Sequence, residues 1–169
     1  MIQKIGLTRI LKIPSTKILQ SWVSWLNDRK VSNFSARSAK KHTINTQIKF
    51  LKEKIQQKHI IFLVSKNKIP IGVLELCNID KINKNCEIRY LIGNTSFWGQ
   101  GIGTRVVDLG VHYAFNKLYL NLIYADTHQD NLASQRILKK IGFKVQGKIK
   151  KFFYHKNKPK NKIIFVKNK

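Results

Sequence analysis

Trp98-Gly99-Gln100-Gly101-Ile102-Gly103-Thr104 sits between an apolar run that ends at Gly93 and an amphipathic run that begins at Ile102. A glycine-rich turn between a strand and a helix leaves several backbone N–H groups pointing out of the helix start. That arrangement binds anions, and a pyrophosphate fits it. Glycine lets the backbone approach a ligand with no Cβ in the way. The spacing alone fits a plain tight turn equally well. A second segment downstream adds weight to the ligand reading: Asn131-Leu132-Ala133-Ser134-Gln135-Arg136-Ile137-Leu138-Lys139-Lys140-Ile141-Gly142-Phe143.

Outward from the loop, Cys86–Gly93 alternates as a strand. Cys86, Ile88, Tyr90 and Ile92 share one face, and Glu87, Arg89 and Leu91 the other. Ile102–Lys117 reads as a long helix, Leu120–Asp126 as a strand, and Asn131–Ile141 as a helix stopped by Gly142. Two strands follow, Phe143–Tyr154 and Lys162–Val166, joined by the Lys/Asn/Pro-rich link His155–Asn161. Upstream, Ile2–Ile13 reads as an edge strand closed by Pro14. Ser15 or Thr16 caps a helix to about Asn27, with Ile18, Leu19, Trp22, Val23, Trp25 and Leu26 on its apolar face. Asp28–Thr43 reads as a polar loop. Thr46 caps a second helix to about Gln57, and His59–Ser65 and Ile69–Ile79 are strands. The order implies an α/β (α+β) fold with a mixed sheet, about seven strands and four helices, in one domain over residues 1–169.

The two motifs together resemble the GCN5-related N-acetyltransferase superfamily. Its signature is a strand, an Arg/Gln-x-x-Gly-x-Gly/Ala loop, a helix, a strand, and an Asn-x-x-Ala/Ser helix closed by Gly-Phe. Trp98 stands where that loop usually has Arg or Gln. The Trp-Gly-Gln-Gly form looks like the branch holding ribosomal-protein N-terminal and sugar-amine acetyltransferases. Trp22-Val23-Ser24-Trp25-Leu26-Asn27-Asp28 resembles the first helix and turn of that branch. Leu138 occupies the position where many members carry a tyrosine general acid. The resemblance covers nearly the whole chain and is densest from Glu87 to Phe143. It implies that the strands Cys86–Gly93 and Leu120–Asp126 splay apart around the pantetheine arm of acetyl-coenzyme A.

Composition narrows the partners. The net charge is +25, and eight Asp and Glu oppose 33 Lys and Arg. Part of the lysine excess reflects an A/T-rich codon bias shared with Asn and Ile, but that bias does not explain the shortage of acids. No acid follows Asp130. Such a field attracts polyanions: coenzyme A, a nucleotide-linked substrate, RNA or the ribosome. No apolar run reaches the ~18 residues of a membrane span. The first residues lack the apolar core of a secretory signal, so a cytoplasmic protein is expected. Cys77 and Cys86 then read as reduced thiols. The five histidines show no metal-ligand spacing, and no metal is expected. A monomer or a homodimer fits the chain.

Acyl transfer from a thioester to an amine needs a neutral amine, a stabilised carbonyl oxygen and a proton or hydrogen-bond donor for the leaving sulfur. Glu87 is the expected base, on the strand the resemblance places beside the thioester; pairing with Arg89 is its competing role. His128 is the second candidate, with a solvated loop histidine as its ordinary identity. Ser134 is the expected donor to sulfur. The resemblance gives the coenzyme to Leu91, Ile92, Gly93, Gly99, Gln100, Gly101, Ile102, Gly103, Thr104, Asn131 and Arg136. The acceptor expected is a small primary amine, an amino-sugar nucleotide first. A ribosomal-protein N-terminus, or a non-catalytic RNA- or partner-binding role, is the alternative.

Overall fold

The computed structural model describes residues 5–35, 40–155 and 157–169. Expectations for Ile2 to Lys4, for residues 36–39 and for Lys156 lie outside the described residues. The elements run β1 (Ile5–Arg9), α1 (Thr16–Asn27), α2 (Arg29–Ser32), α3 (Ile44–Gln56), β2 (Ile60–Lys66), β3 (Ile69–Asp80), β4 (Asn85–Ile92), α4 (Ile102–Asn116), β5 (Leu122–His128), α5 (Leu132–Lys140), β6 (Lys144–His155) and β7 (Lys158–Asn168). A 3-10 turn, Thr95–Phe97, precedes α4. The sheet has seven strands in the order β1-β2-β3-β4-β5-β7-β6. Only β4 and β5 pair in parallel; the other neighbours are antiparallel.

Each sheet face carries its own core. Leu74, Leu76, Ile88 and Ile123 pack with Val106, Val107, Val111 and Phe115 of α4 and Leu138 of α5. On the opposite face Ile61 and Val73 pack with Leu19, Trp22, Trp25 and Leu26 of α1 and Leu51 of α3. Period-2 alternation in β2–β4 divides the side chains between the faces, so Tyr90 belongs to the α4 side and Glu87, Arg89 and Leu91 to the α1 side.

Several boundaries differ from the sequence reading. The described residues form five α-helices rather than four, because Asp28 caps a single extra turn by accepting from Lys30 N–H at 2.8 Å. The cap of α3 is Thr43. Thr46 is its partner three residues on, and the two threonines satisfy each other's backbone N–H groups. The link His155–Asn161 is mostly strand: His155 pairs directly with Lys158, and β7 begins there.

Gly93 shows how tightly the end of β4 is held. A Cβ at this position would run into the Trp25 indole. Gly93→Ala is expected to lower unfolding stability by ~1–3 kcal/mol through overpacking. Chemical denaturation followed by tryptophan fluorescence measures it; unchanged stability would contradict this packing.

Candidate active site

The parallel ladder between β4 and β5 is short. It pairs Asn85 with Leu122, Cys86 with Ile123 and Glu87 with Tyr124. Beyond Glu87, β4 stays with β3 as far as Ile92, and β5 stays with β7 as far as His128. Among the described residues, the facing edges of residues 88–92 and 125–128 therefore have no strand partner, although they lie in the middle of the sheet. Backbone N–H and C=O groups there call for a partner. A ligand carrying amide groups fits this wedge.

The glycine loop lies at the end of β4. Trp98 Nε1–H donates to the Ile92 carbonyl at 2.8 Å and anchors the turn. Gly99 and Gly101 have φ of +75° and +72°, and an added Cβ would meet nothing within 4 Å at either. Their need is for left-handed backbone, and open space lies above them. Gly101 caps the 15-residue α4 without a side-chain hydrogen bond, and the first turn holds no acid. Its helix start is thus open to an external anion. Ile102 is buried in the core. Gly103 admits Ile137: a Cβ would lie 2.7 Å from its Cδ1. Thr104 is half-buried. Gln100 braces the loop, donating to Ser96 O at 2.9 Å and accepting from Lys66 Nζ at 2.9 Å. Lys66 is only 6% exposed and sits 4.8 Å from the Phe97 ring centre. A buried ammonium therefore stands beside the helix start.

Across the wedge, the Asn131 side chain accepts from Ser134 N–H at 3.2 Å and caps α5. The Ser134 hydroxyl lies 2.8 Å from the Tyr90 hydroxyl. Burial pushes the Tyr90 phenol up to about 12. Leu138 is fully buried in the α4-side core, and Arg136 faces solvent.

On the α1 face, Glu87 is 5% exposed and both its oxygens are engaged. Arg89 donates to them from Nε at 2.6 Å and Nη2 at 2.8 Å, and Asn78 donates at 2.9 Å. Asn78 reaches Glu87 because β3 bulges between Cys77 and Asp80, with Asn78 at φ +50°. His59 Nδ1 is hydrogen-bonded to Glu75, and with Cys77 they form a compact group of donor atoms. Burial raises both thiols, that of Cys86 to about 12, so neither is a ready nucleophile at neutral pH.

His128 is not a solvated loop histidine. It ends β5, is 5% exposed, and is surrounded by the rings of Phe34, Phe153 and His155 at centroid distances of 5.1–5.2 Å. The rings come from two distant segments, Phe34 after α2 and Phe153 with His155 on β6, which the local sequence does not reveal. Its Nδ1 accepts from Asp130 N–H at 3.1 Å, so the neutral ring carries its proton on Nε2. Nε2 has no hydrogen-bond partner among the described residues. Burial lowers the His128 pKa, against the opposing pull of Asp130.

A family model described as the acetyltransferase (GNAT) domain matches residues 10–144. The chain belongs to this acetyltransferase family. The spermidine N(1)-acetyltransferase of Escherichia coli (strain K12) is 28% identical over 102 residues, 60% of this chain and 54% of that protein. A protein described as a candidate ribosomal N-acetyltransferase of Bacillus subtilis (strain 168) is 34% identical over 83 residues, 49% of this chain and 45% of its own length. The chain spans about half the length of these curated relatives. Among solved structures, the spermidine N-acetyltransferase of Vibrio cholerae in complex with CoA and spermine superposes with a TM-score of 0.86. It is 17% identical and covers 97% of this chain and 95% of its own. That likeness establishes the GNAT fold. No helix among the described residues is long and apolar enough to cross a membrane.

Within this GNAT chain the glycine loop, Asn131 and Ser134 flank one wedge. Tyr90 and Lys66 belong to the same region and are missed by sequence reasoning. Their partners lie 44 and 34 residues away, and no local pattern signals them.

Two outcomes test the α1-face assignments. His128 has a folded pKa below its unfolded value of ~6.5, so its neutral form stabilises the fold above that pH. Stability should fall as the solution is acidified below ~6.5, and His128→Gln should lessen the fall; parallel pH curves for the two proteins would contradict it. Glu87→Gln should cost ~1–3 kcal/mol of stability, below the ~3–5 of a fully enclosed pair because Arg89 is half exposed. A variant as stable as wild type would show that the Arg89 pair contributes nothing.

Proposed function

We propose that this chain is an acetyl-coenzyme A-dependent N-acetyltransferase that moves an acetyl group to a primary amine by direct attack on the thioester. The observation that carries this is the wedge: two unpaired strand edges in mid-sheet that lead to an uncapped helix start. The donor set fits coenzyme A. Backbone N–H groups of residues 101–104, with Lys66 beside them, are suited to its pyrophosphate. The β4 edge at Leu91, Ile92 and Gly93 is suited to the amides of its pantetheine arm. Asn131 lies across from that edge, and Arg136 is exposed two residues beyond Ser134. When bound, the coenzyme supplies an activated acetyl group.

Glu87 remains the proposed base, with a condition set by its surroundings. A proton can reach its oxygens only where Arg89 or Asn78 gives up a bond. In that role, Glu87→Gln lowers kcat ~10²-fold or more at unchanged coenzyme affinity. An unchanged kcat would leave Glu87 as the clamp on Arg89 alone.

The acceptor we propose is an amine carried on an anionic molecule, of which a nucleotide-linked amino sugar is one example. The relatives named above act on spermidine or are described by ribosomal proteins, but this chain's charge favours neither polycation. Glu75, Glu87, Asp126 and Asp130 line β3, β4 and the end of β5, and each is engaged by His59, Arg89, Lys162 or Lys160. No carboxylate of that group is left over for a second ammonium. Arg89 is half exposed and held rigid by Glu87, which suits an acceptor's phosphate or carboxylate.

A screen of amines by release of free thiol tests this. Anionic amines should be acetylated with a KM that rises with salt, since exposed charges are screened beyond ~10 Å at 0.1 M. Spermidine as the preferred acceptor, or a peptide N-terminus, would overturn the acceptor class. Gly101→Val should weaken acetyl-coenzyme A binding through backbone strain at +72°. Undiminished affinity by calorimetry would remove the loop from the site.

A further inference from the structure

We propose that Tyr90 is a positioning residue for the leaving sulfur: it donates its phenolic hydrogen to Ser134 Oγ and so directs the Ser134 hydroxyl hydrogen into the wedge. The inference rests on the acetyltransferase reading of the same site. The two side chains come from opposite sides of the wedge, Tyr90 from β4 and Ser134 from the first turn of α5, and their oxygens are 2.8 Å apart. The pair joins the strand and the helix where the β4–β5 ladder has already ended, three residues beyond Glu87.

The direction of the bond follows from the alternatives open to each hydroxyl. Besides Ser134 Oγ, the Tyr90 hydroxyl has one weak contact among the described residues, the Ser134 carbonyl at 3.5 Å. If Tyr90 accepted instead, its own hydrogen would be left to that long contact. With Tyr90 donating, Oγ is satisfied as an acceptor and the serine hydrogen is free for another partner. Burial keeps the phenol protonated at neutral pH, so this orientation persists across the working range. A hydroxyl that accepts a hydrogen bond also becomes a better donor through polarisation.

The step balances as follows. The amine lone pair forms the C–N bond, the C–S bond breaks with its electron pair going to sulfur, and the thiolate accepts a hydrogen bond from Ser134. The nitrogen's proton leaves to the base or to water. Neither Tyr90 nor Ser134 loses a proton. Ser134, oriented by Tyr90 from β4, thus supplies a hydrogen bond that Leu138, sealed in the core, does not.

The experiment uses the full chain with coenzyme A as the probe and reads the thiol by its ultraviolet thiolate absorbance. In the wild type the bound thiol should titrate below its range in free solution. Ser134→Ala should raise that titration by about one pH unit and lower kcat roughly 10–100-fold, the loss of a hydrogen bond to a charged group. Tyr90→Phe should raise it less and lower kcat roughly 3–10-fold at an acetyl-coenzyme A KM within about twofold of wild type. In the Ser134→Ala background, Tyr90→Phe should add nothing. Ser134→Thr, which keeps the hydroxyl, should restore most of both readings and guards against a loss of fold. A Tyr90→Phe effect that persists without the Ser134 hydroxyl would overturn the proposal, as would an unchanged thiol titration in Tyr90→Phe. Calorimetry of coenzyme A with the wild type is the separate arm. Absence of binding there sinks the acetyltransferase reading itself, whereas binding with an unresponsive thiol sinks only the role of Tyr90.

Discussion

Three parallel residue pairs, ending at Glu87 and Tyr124, are the constraint on which the rest of the structure depends. They fix β4 and β5 side by side and then release them. On one side, the end of β4 is held against α1 by the contact of Gly93 with Trp25. Its neighbour β3 comes equally close, where Gly72 lacks the Cβ that would strike the Leu91 carbonyl. On the other side, β5 follows β7 through seven consecutive pairs. Neither strand can move to close the gap without breaking well-packed contacts. The glycine loop inherits its position from this geometry, because Trp98 ties it to the carbonyl of Ile92.

Much of this was legible in the sequence because strongly periodic segments bury one face. The apolar stripe of α1, the alternation of β4 and the glycine spacing before α4 all follow from local pattern. What escaped has a common cause. A helix of one turn, such as α2, has no stripe to read. The outer strand β6 lies close to the bounds its sequence suggests, but the first residues of β7, 158–161, are rich in Lys, Asn and Pro and look like a polar link. Thr43 and Thr46 are equally good cap residues, and only the structure shows that they act together. For the site, Asn131 and Ser134 declare themselves by spacing. The ring that touches Ser134, the ammonium beside the loop and the aromatic enclosure of His128 all arise from contacts across the fold.

The scarcity of acids takes on meaning in the structure. Asp28 caps α2, and Asp80 gathers the N–H groups of Ile82 and Asn83 in the β3–β4 turn. Glu75, Glu87, Asp126 and Asp130 each engage a cation or histidine. These six acids act as internal clamps, and only Glu53 on α3 and Asp108 on α4 are left exposed on the helix surfaces to oppose the many lysines. Lysines along the exposed β6 edge also discourage edge-to-edge pairing with other chains. The positive field is therefore an outward property of the fold. It raises the local concentration of anionic ligands while leaving short-range selection to the wedge and its rim.

Amide hydrogen exchange with and without coenzyme A tests the central claim most directly. If the wedge and the uncapped start of α4 hold the coenzyme, protection should rise at the unpaired β4 edge, residues 88–92, and at residues 102–104. The β2–β3 hairpin should be unaffected. Binding that leaves both segments unchanged, or that protects only the lysine-rich β6 strand, would contradict the account.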